Sequence, residues 1–232
     1  MNRDDVVRGI NRTWTTADEL GLAQTFGSAG VLGVNEEFRD LIFTGSASYD
    51  DVYMKALELS HYNILLNDYS FFQFGWEGRG LVRYAYYPNP FIASKEDAEY
   101  LKSREELVSA QMISHEEFLY LLKSRGSVSG VPMLRYENAP SQRSAFYHPC
   151  SHLHIGFHSE NRWAVNRILT PYAFSLLVYK HYYGSPWKEF GDNSEIEYKN
   201  NFERSLVEEK ANCFVVDESL FGVDEQRSFY FG

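Results

Sequence analysis

Residues 62–87, with the sequence YNILLNDYSFFQFGWEGRGLVRYAYY, decide the fold of this chain. Three runs rich in aromatic and aliphatic residues, which favour β-strands, are separated by Asn67-Asp68 and by a glycine-containing segment at 77–80. Asn-Asp favours tight turns, and connections this short join neighbouring strands in antiparallel fashion. The sequence therefore predicts a three-stranded meander with strands at 62–66, 69–76 and 81–87.

Helices are indicated on both sides of this meander by N-cap residues, capping boxes and a Thr-Pro start. They are predicted after Asn2, over 50–61, over 95–110, between Ser114 and Gly126, from Pro171 to Gly184, and from Ser194 to about Glu209. A further strand is predicted over 131–138. No long Pro-, Gly- or Ser-rich linker divides the chain. We therefore expect a single α+β domain over residues 1–232, with a largely antiparallel sheet and helices packed on one face.

Residues 148–158, HPCSHLHIGFH, contain four of the seven histidines of the chain. From residue 151 onward histidines alternate with apolar residues, which is the period of a β-strand. The sequence predicts a strand that buries its apolar residues on one face, and these are Leu153, Ile155 and Phe157. His152 and His154 share the other face, and His158 has the same parity. His148 precedes Pro149, which favours extended geometry, so we expect it on the loop that enters the strand.

The histidine strand supports two chemical hypotheses, because imidazole titrates near neutrality and also binds metals. In the first, His152, His154 and His158 converge on a divalent metal. In the second, no cofactor is needed, and His152, His154 or His148 act as the catalytic acid and base, as in ribonucleases. A third interpretation keeps these side chains on a half-buried face with a purely structural role.

Arginines inside otherwise apolar strands are unusual unless they are paired or face a cleft. Arg83 and Arg135 occur in such runs, Arg162 follows the histidine strand, and Gln73 is the polar residue within an aromatic run. Guanidinium groups bind phosphates through paired hydrogen bonds. We take these four residues as substrate-binding candidates, with structural ion pairing or a buried polar network as the alternative. Histidines combined with arginines are the composition of a phosphate-directed site.

The charge of the chain limits its partners. With 32 acidic and 22 basic residues and a net charge of −10, a broad surface for nucleic-acid backbones is not expected, although a local basic cleft stays open. No apolar run is long enough for a membrane span, and the polar start at residues 1–5 does not resemble a signal peptide. Two cysteines suit a reduced compartment. We expect a cytoplasmic protein.

Three segments occur in a characteristic order: Asn67-Asp68-x-Ser70-x-x-Gln73-Phe74, Arg83-x-x-Tyr86-x-Pro88 and His148-Pro149-x-x-His152-Leu153-His154-x-Gly156. With Pro171, Phe174, Tyr182-Tyr183 and Trp187 downstream, they resemble a family of uncharacterised bacterial proteins over nearly the whole chain. The family has no assigned function. The resemblance implies a bacterial, single-domain, cytoplasmic protein and no activity.

Two functional hypotheses follow from these residues. The first is a phosphodiester- or nucleotide-directed enzyme, ribonuclease-like, acting in bacterial stress or defence, with either no cofactor or a divalent metal. The second is a non-catalytic protein partner in a larger complex, in which the histidines are structural and some of the 17 tyrosines and 17 phenylalanines form a binding surface.

Overall fold

A computed structural model describes residues 1–78, 80–144, 146–157, 160–227 and 230–232. The helices are α1 (Arg3–Glu19), α2 (Glu36–Phe43), α3 (Tyr49–Glu58), α4 (Lys95–Ser109), α5 (His115–Ser124), α6 (Pro171–Tyr182), α7 (Gly184–Gly191), α8 (Asn201–Asn212) and α9 (Val223–Gln226). The strands are β1 (Ala23–Phe26), β2 (Ile64–Leu66), β3 (Phe71–Gly78), β4 (Leu81–Tyr87), β5 (Leu134–Asn138), β6 (Ser151–Ile155), β7 (Trp163–Ala164), β8 (Arg167–Ile168) and β9 (Phe214–Val215).

Strands β1 to β7 form one sheet in which every neighbouring pair is antiparallel and the spatial order follows the chain. The predicted meander is confirmed as β2, β3 and β4. Its first turn is held by Asp68, whose Oδ1 accepts a hydrogen bond of 2.9 Å from the backbone N–H of Ser70. Strand β1 has no counterpart in the prediction, because its four residues carry only a short apolar signal and it is defined by pairing with β2.

One face of the sheet, the core face, is covered by α1 and α6. Aromatic residues at alternate positions of the central strands point to it, and they include Phe72, Phe74, Tyr84, Tyr86 and Tyr136. Phe174 of α6 lies among them, with its ring centroid 6.0 Å from that of Tyr84 and 6.4 Å from that of Phe72. The apolar surface of α6, which the sequence predicts, therefore packs against the centre of the sheet.

The opposite face, the cleft face, is only partly covered. Phe71, Ala85 and Tyr87 pack against α3 and α5 at one end of it. The α+β class, the single domain and the antiparallel sheet are thus confirmed, but helices lie on both faces rather than one. The remainder of the cleft face carries polar side chains of β3, β4 and β5, and this is where the candidate site lies.

The helix starts agree with their capping signals except at α8. Asn2, Ser94, Ser114 and Thr170 each accept a hydrogen bond from a backbone N–H of the first turn, as predicted. The predicted start of the last long helix at Ser194 is wrong. Its N-cap is Asn200, whose side chain accepts from the N–H groups of residues 202 and 203. No helix in the described ranges has the length and apolar character needed to cross a membrane.

Candidate functional site

Strand β6 lies between β5 and β7 and places His152 and His154 on the cleft face, as predicted. Their ring centroids are 4.8 Å apart. Across the β5–β6 pair, His152 is opposite Glu137 and His154 is opposite Arg135. His148 lies on the loop before the strand, also as predicted, with its ring centroid 4.8 Å from that of His152. His158 lies outside the described residues.

The predicted burial of the apolar residues of this strand holds only in part. Leu153 is buried on the core face, whereas Ile155 is 36% exposed at the end of the strand. Gly156 follows with a φ of +91°, a conformation that glycine adopts readily. The alternation stops at this turn, and Phe157 packs instead on the cleft-face side, against Tyr49 of α3. A strict two-residue period therefore covers residues 151–155 only.

Both strand histidines are more deeply buried than a half-covered face would allow. His152 is 0% and His154 is 2% exposed. His152 Nδ1 lies 2.8 Å from the carbonyl oxygen of Pro149. A carbonyl only accepts, so Nδ1 carries the proton and Nε2 of the neutral ring is an acceptor. Among the residues that the structure describes, neither His152 Nε2 nor His154 Nδ1 has a hydrogen-bond partner.

Burial keeps both imidazoles neutral at physiological pH. It lowers the pKa of His152 to about 4, against an opposing effect of the Glu137 carboxylate. It lowers the pKa of His154 to about 2, and the positive charge of Arg135 adds to this shift. Metal-free acid–base catalysis needs one protonated imidazole and one base with a pKa near the working pH. With both rings neutral, His152 and His154 lack the protonated member of such a pair in this arrangement, and their catalytic role stays a prediction.

Arg83 and Arg135 converge on one carboxylate. The Nε atom of Arg83 donates to Glu137 Oε1 at 3.2 Å, and Arg135 Nε lies 3.1 Å from the same oxygen. Glu137 is largely buried, whereas the Arg83 side chain is 50% exposed. These arginines therefore form the ion-pair cluster of the structural interpretation, and they also line open space, so substrate binding stays a prediction.

That space is a cleft of about 650 Å³ whose floor is formed by β3, β4 and β5. Gln73, Arg83, Arg135 and Glu137 line its polar part. Helix α2 and the segment before it line the other side with apolar residues, namely Leu32, Val34, Phe38, Ile42 and Phe43. Gln73 also donates a hydrogen bond of 2.5 Å to the carbonyl oxygen of His61, which fixes its side chain.

The remaining candidates lie at one side of this cleft. His152 and His154 are not part of its lining and sit beyond Glu137 in the sheet. Arg162, on the loop after β6, is close enough for its charge to lower the pKa of both histidines, but it does not line the cleft either. The structure thus joins Arg83, Arg135 and Gln73 in one cavity and groups His148, His152, His154 and Arg162 beside it.

Glu137 is the residue that connects these two groups and that sequence reasoning missed. It lies two residues after Arg135 on the same face of β5, which the strand period indicates. Its position opposite His152 depends on the pairing of β5 with β6, and residues 139–150 separate those strands. The one signal available was the acidic residue at matching parity beside a candidate arginine.

Comparison with known proteins identifies the family of this chain but does not indicate an activity. The sequence profile of a family described as "Uncharacterized conserved protein (DUF2290)" matches residues 23–217. No curated protein matches the chain, and no solved structure matches it. The matched residues include β3, β4, β5 and β6, and therefore the whole of the candidate site.

Proposed function

The chain belongs to this uncharacterized conserved family, and from its site we propose a phosphodiester- or nucleotide-directed enzyme that binds phosphate through Arg83 and Arg135. The observation that carries the proposal is the pair of guanidinium groups on adjacent strands, fixed by one carboxylate at the floor of an open cleft. Glu137 orients both side chains before a ligand arrives, and such preorganisation reduces the entropic cost of binding.

The local charge at the floor of the cleft favours an anion although the chain is acidic overall, with a net charge of −10. Arg83 and Arg135 converge on one carboxylate, that of Glu137, which leaves one positive charge at this point. Arg39 and Glu77 also line the cleft, and Arg39 is paired with Asp40. Guanidinium groups match the geometry of phosphate oxygens, and each has donors beyond Nε. The cleft therefore suits one phosphate group, in a nucleotide or at one position of an RNA strand, rather than a long stretch of nucleic-acid backbone.

The apolar side of the cleft supports a nucleotide over inorganic phosphate. Phe38, Ile42 and Phe43 face the polar floor across the cavity. Binding sites for small molecules combine an apolar wall with a few convergent polar groups. A nucleobase suits the apolar wall, the phosphate suits the arginines, and Gln73 offers an amide to the sugar or base between them.

A ribonuclease-like activity in bacterial stress or defence is consistent with this chemistry, and the bacterial setting rests on the family resemblance alone. We assign the activity to the cytoplasm because Cys150 and Cys213 are both free, buried thiols, which suits a reducing compartment. The catalytic end of the cleft is at Glu137, with His152 next to it. Since both strand histidines are neutral, the proposed chemistry does not use them as an acid–base pair.

A second candidate function is a non-catalytic partner protein, and one surface favours it. Trp163 on the edge strand β7 and Phe231 are both exposed, with ring centroids 6.1 Å apart. Phe214 and Val215 of β9 are also exposed. Exposed aromatic residues at a sheet edge are typical of interfaces with other proteins.

The experiment that separates these functions is a panel of short RNA, single-stranded DNA, cyclic nucleotides and nucleoside triphosphates. Binding and turnover are measured in EDTA and again with Zn²⁺ or Mn²⁺. We expect wild type to bind at least one phosphate-bearing compound, and Arg83→Gln or Arg135→Gln to weaken binding about tenfold to a hundredfold. Arg204→Gln is the control, since this arginine is similarly exposed and lies on α8. A folded wild type that binds nothing in the panel would overturn the proposal and favour the partner protein.

A further inference from the structure

Glu137, His152 and His154 each offer one potential metal-ligand atom, and these atoms lie within 4.8 Å of one another. We infer that they form a binding site for a divalent transition metal of the zinc class. The inference goes beyond the proposed function, because it concerns the buried group beside the cleft and is tested with the metal alone.

The contact between His152 and Glu137 is the first argument. His152 Nε2 and Glu137 Oε2 face each other at 4.0 Å, which is too long for a hydrogen bond. Nε2 is an acceptor because Nδ1 donates to the carbonyl of Pro149. A carboxylate oxygen also accepts only. His152 Nε2 is a buried acceptor without a donor among the described residues, and a cation between it and the Glu137 carboxylate would satisfy it.

The surroundings of these side chains are those of a preformed ligand set. Metal-bound histidines donate their second N–H to a carbonyl or carboxylate, as His152 does to Pro149. Metal-bound carboxylates are likewise held by hydrogen bonds, and Arg83 donates to Oε1 of Glu137 while Oε2 lies toward His152. His154 contributes a ring with a buried Nδ1 that has no partner among the described residues. Each ligand is thus oriented by a neighbour or by the sheet.

The ligand atoms must move closer together to hold the metal. Zinc binds histidine nitrogen and carboxylate oxygen at about 2.0–2.2 Å, which places the ligand atoms of a tetrahedral site about 3.4 Å apart. The pair at 4.0 Å must close by about half an ångström, and a pair at the full 4.8 Å by about 1.4 Å. Two imidazoles and one carboxylate suit zinc, and also iron or manganese, and three protein ligands leave a position open. In that position the metal would act as a Lewis acid on a phosphoryl oxygen.

The positive charges nearby limit the affinity. Arg83 and Arg135 contact Glu137, and Arg162 acts on both histidines. A divalent cation must overcome this repulsion, so the site is weaker than one with carboxylates around it. A phosphate held by the arginines would reduce the same repulsion. We therefore expect metal and phosphate to strengthen each other's binding.

The test uses the full chain, stripped with EDTA and dialysed, and titrated with Zn²⁺ alone by calorimetry and chelator competition. We expect one equivalent to bind, and Glu137→Gln, His152→Asn or His154→Asn to weaken binding at least tenfold. His115→Asn is the control, because this histidine is exposed at the start of α5. Circular dichroism and thermal unfolding identify any variant that does not fold, and Glu137→Gln keeps the size of the side chain.

Folded wild type that binds neither Zn²⁺ nor Mn²⁺ would overturn the inference, as would zinc binding that persists in all three ligand variants. Neither result depends on nucleotide binding. Conversely, zinc binding through these residues without binding of any phosphate compound would support the metal site and contradict the proposed enzyme function.

Discussion

His152 Nε2 lies 4.0 Å from Glu137 Oε2, and the two atoms face each other across the β5–β6 pair. This pair joins the two parts of the site. Glu137 belongs to the cleft, where it holds Arg83 and Arg135, and His152 belongs to the buried histidine group. A substitution at either residue is therefore expected to alter both the cleft and the buried histidine group.

Acidification should destabilise the metal-free protein through the two strand histidines. Their pKa values are lowered to about 4 for His152 and about 2 for His154, against about 6.5 in the unfolded chain. The unfolded state then binds more protons, so stability is complete above pH 6.5 and is lost as the pH falls below it. From pH 7.5 to pH 5 we expect a loss of roughly 2 kcal/mol for each histidine. Urea unfolding in EDTA at the two pH values measures this loss of unfolding free energy.

The matched variant for this prediction is His152→Asn/His154→Asn, which cannot titrate at these positions. Its unfolding free energy should fall less between pH 7.5 and pH 5 than that of wild type. Parallel decreases in the two proteins would show that other groups cause the acid sensitivity.

The core face should depend on Phe174. This side chain is fully buried between α6 and the aromatic residues of β3 and β4. Phe174→Ala should reduce the free energy of unfolding by about 3–5 kcal/mol, the usual cost of such a cavity. Phe43→Ala, at an exposed residue of α2, should change it by less than about 0.5 kcal/mol. Equal effects in urea unfolding would contradict the assignment of the core.

Local signals in the sequence were sufficient for most of the fold. The Asn67-Asp68 turn defines the meander, and Ser94, Ser114 and Thr170 define helix starts through interactions with their own first turns. α8 is different because two capping signals compete. Ser194 has a suitable partner in sequence, but Asn200 also donates to the carbonyl of Trp187, a contact that only the packed structure reveals.

The candidate site was predictable in its residue types and not in its arrangement. The strand period correctly placed His152 and His154 on one face. Their complete burial, and hence their neutral state, depends on how neighbouring segments pack over them. The role of Glu137 depends on strand register, which the residues of β5 and β6 do not specify separately. Tertiary pairing, rather than local pattern, creates this site.

The corrected start of α8 gives a test with an internal control. Asn200→Ala removes the acceptor for two backbone N–H groups and the contact with Trp187, so it should cost about 1–2 kcal/mol in unfolding free energy. Ser194→Ala should cost less than about 0.5 kcal/mol, because this exposed residue does not begin the helix. A larger loss at Ser194 than at Asn200 in thermal or urea unfolding would reverse the assignment.

Removing one nearby positive charge should strengthen metal binding. Arg162→Gln eliminates a positive charge that acts on both histidines and leaves in place the Arg83 contact that orients Glu137. We expect zinc affinity to rise by about threefold to tenfold. Arg204→Gln should leave the affinity unchanged. Chelator competition at low ionic strength measures the difference, and weaker zinc binding by Arg162→Gln would argue against the charge model of the site.

The most direct test of phosphate recognition in the cleft is calorimetric titration with the tightest-binding phosphate compound of the panel, in EDTA and low salt. Wild type and Arg204→Gln should bind it with equal affinity, whereas Arg83→Gln/Arg135→Gln should bind at least a hundredfold more weakly, since two charge-assisted contacts are lost. Equal affinity of the double variant and wild type, with both proteins folded, would contradict the assignment of this cleft as a phosphate site.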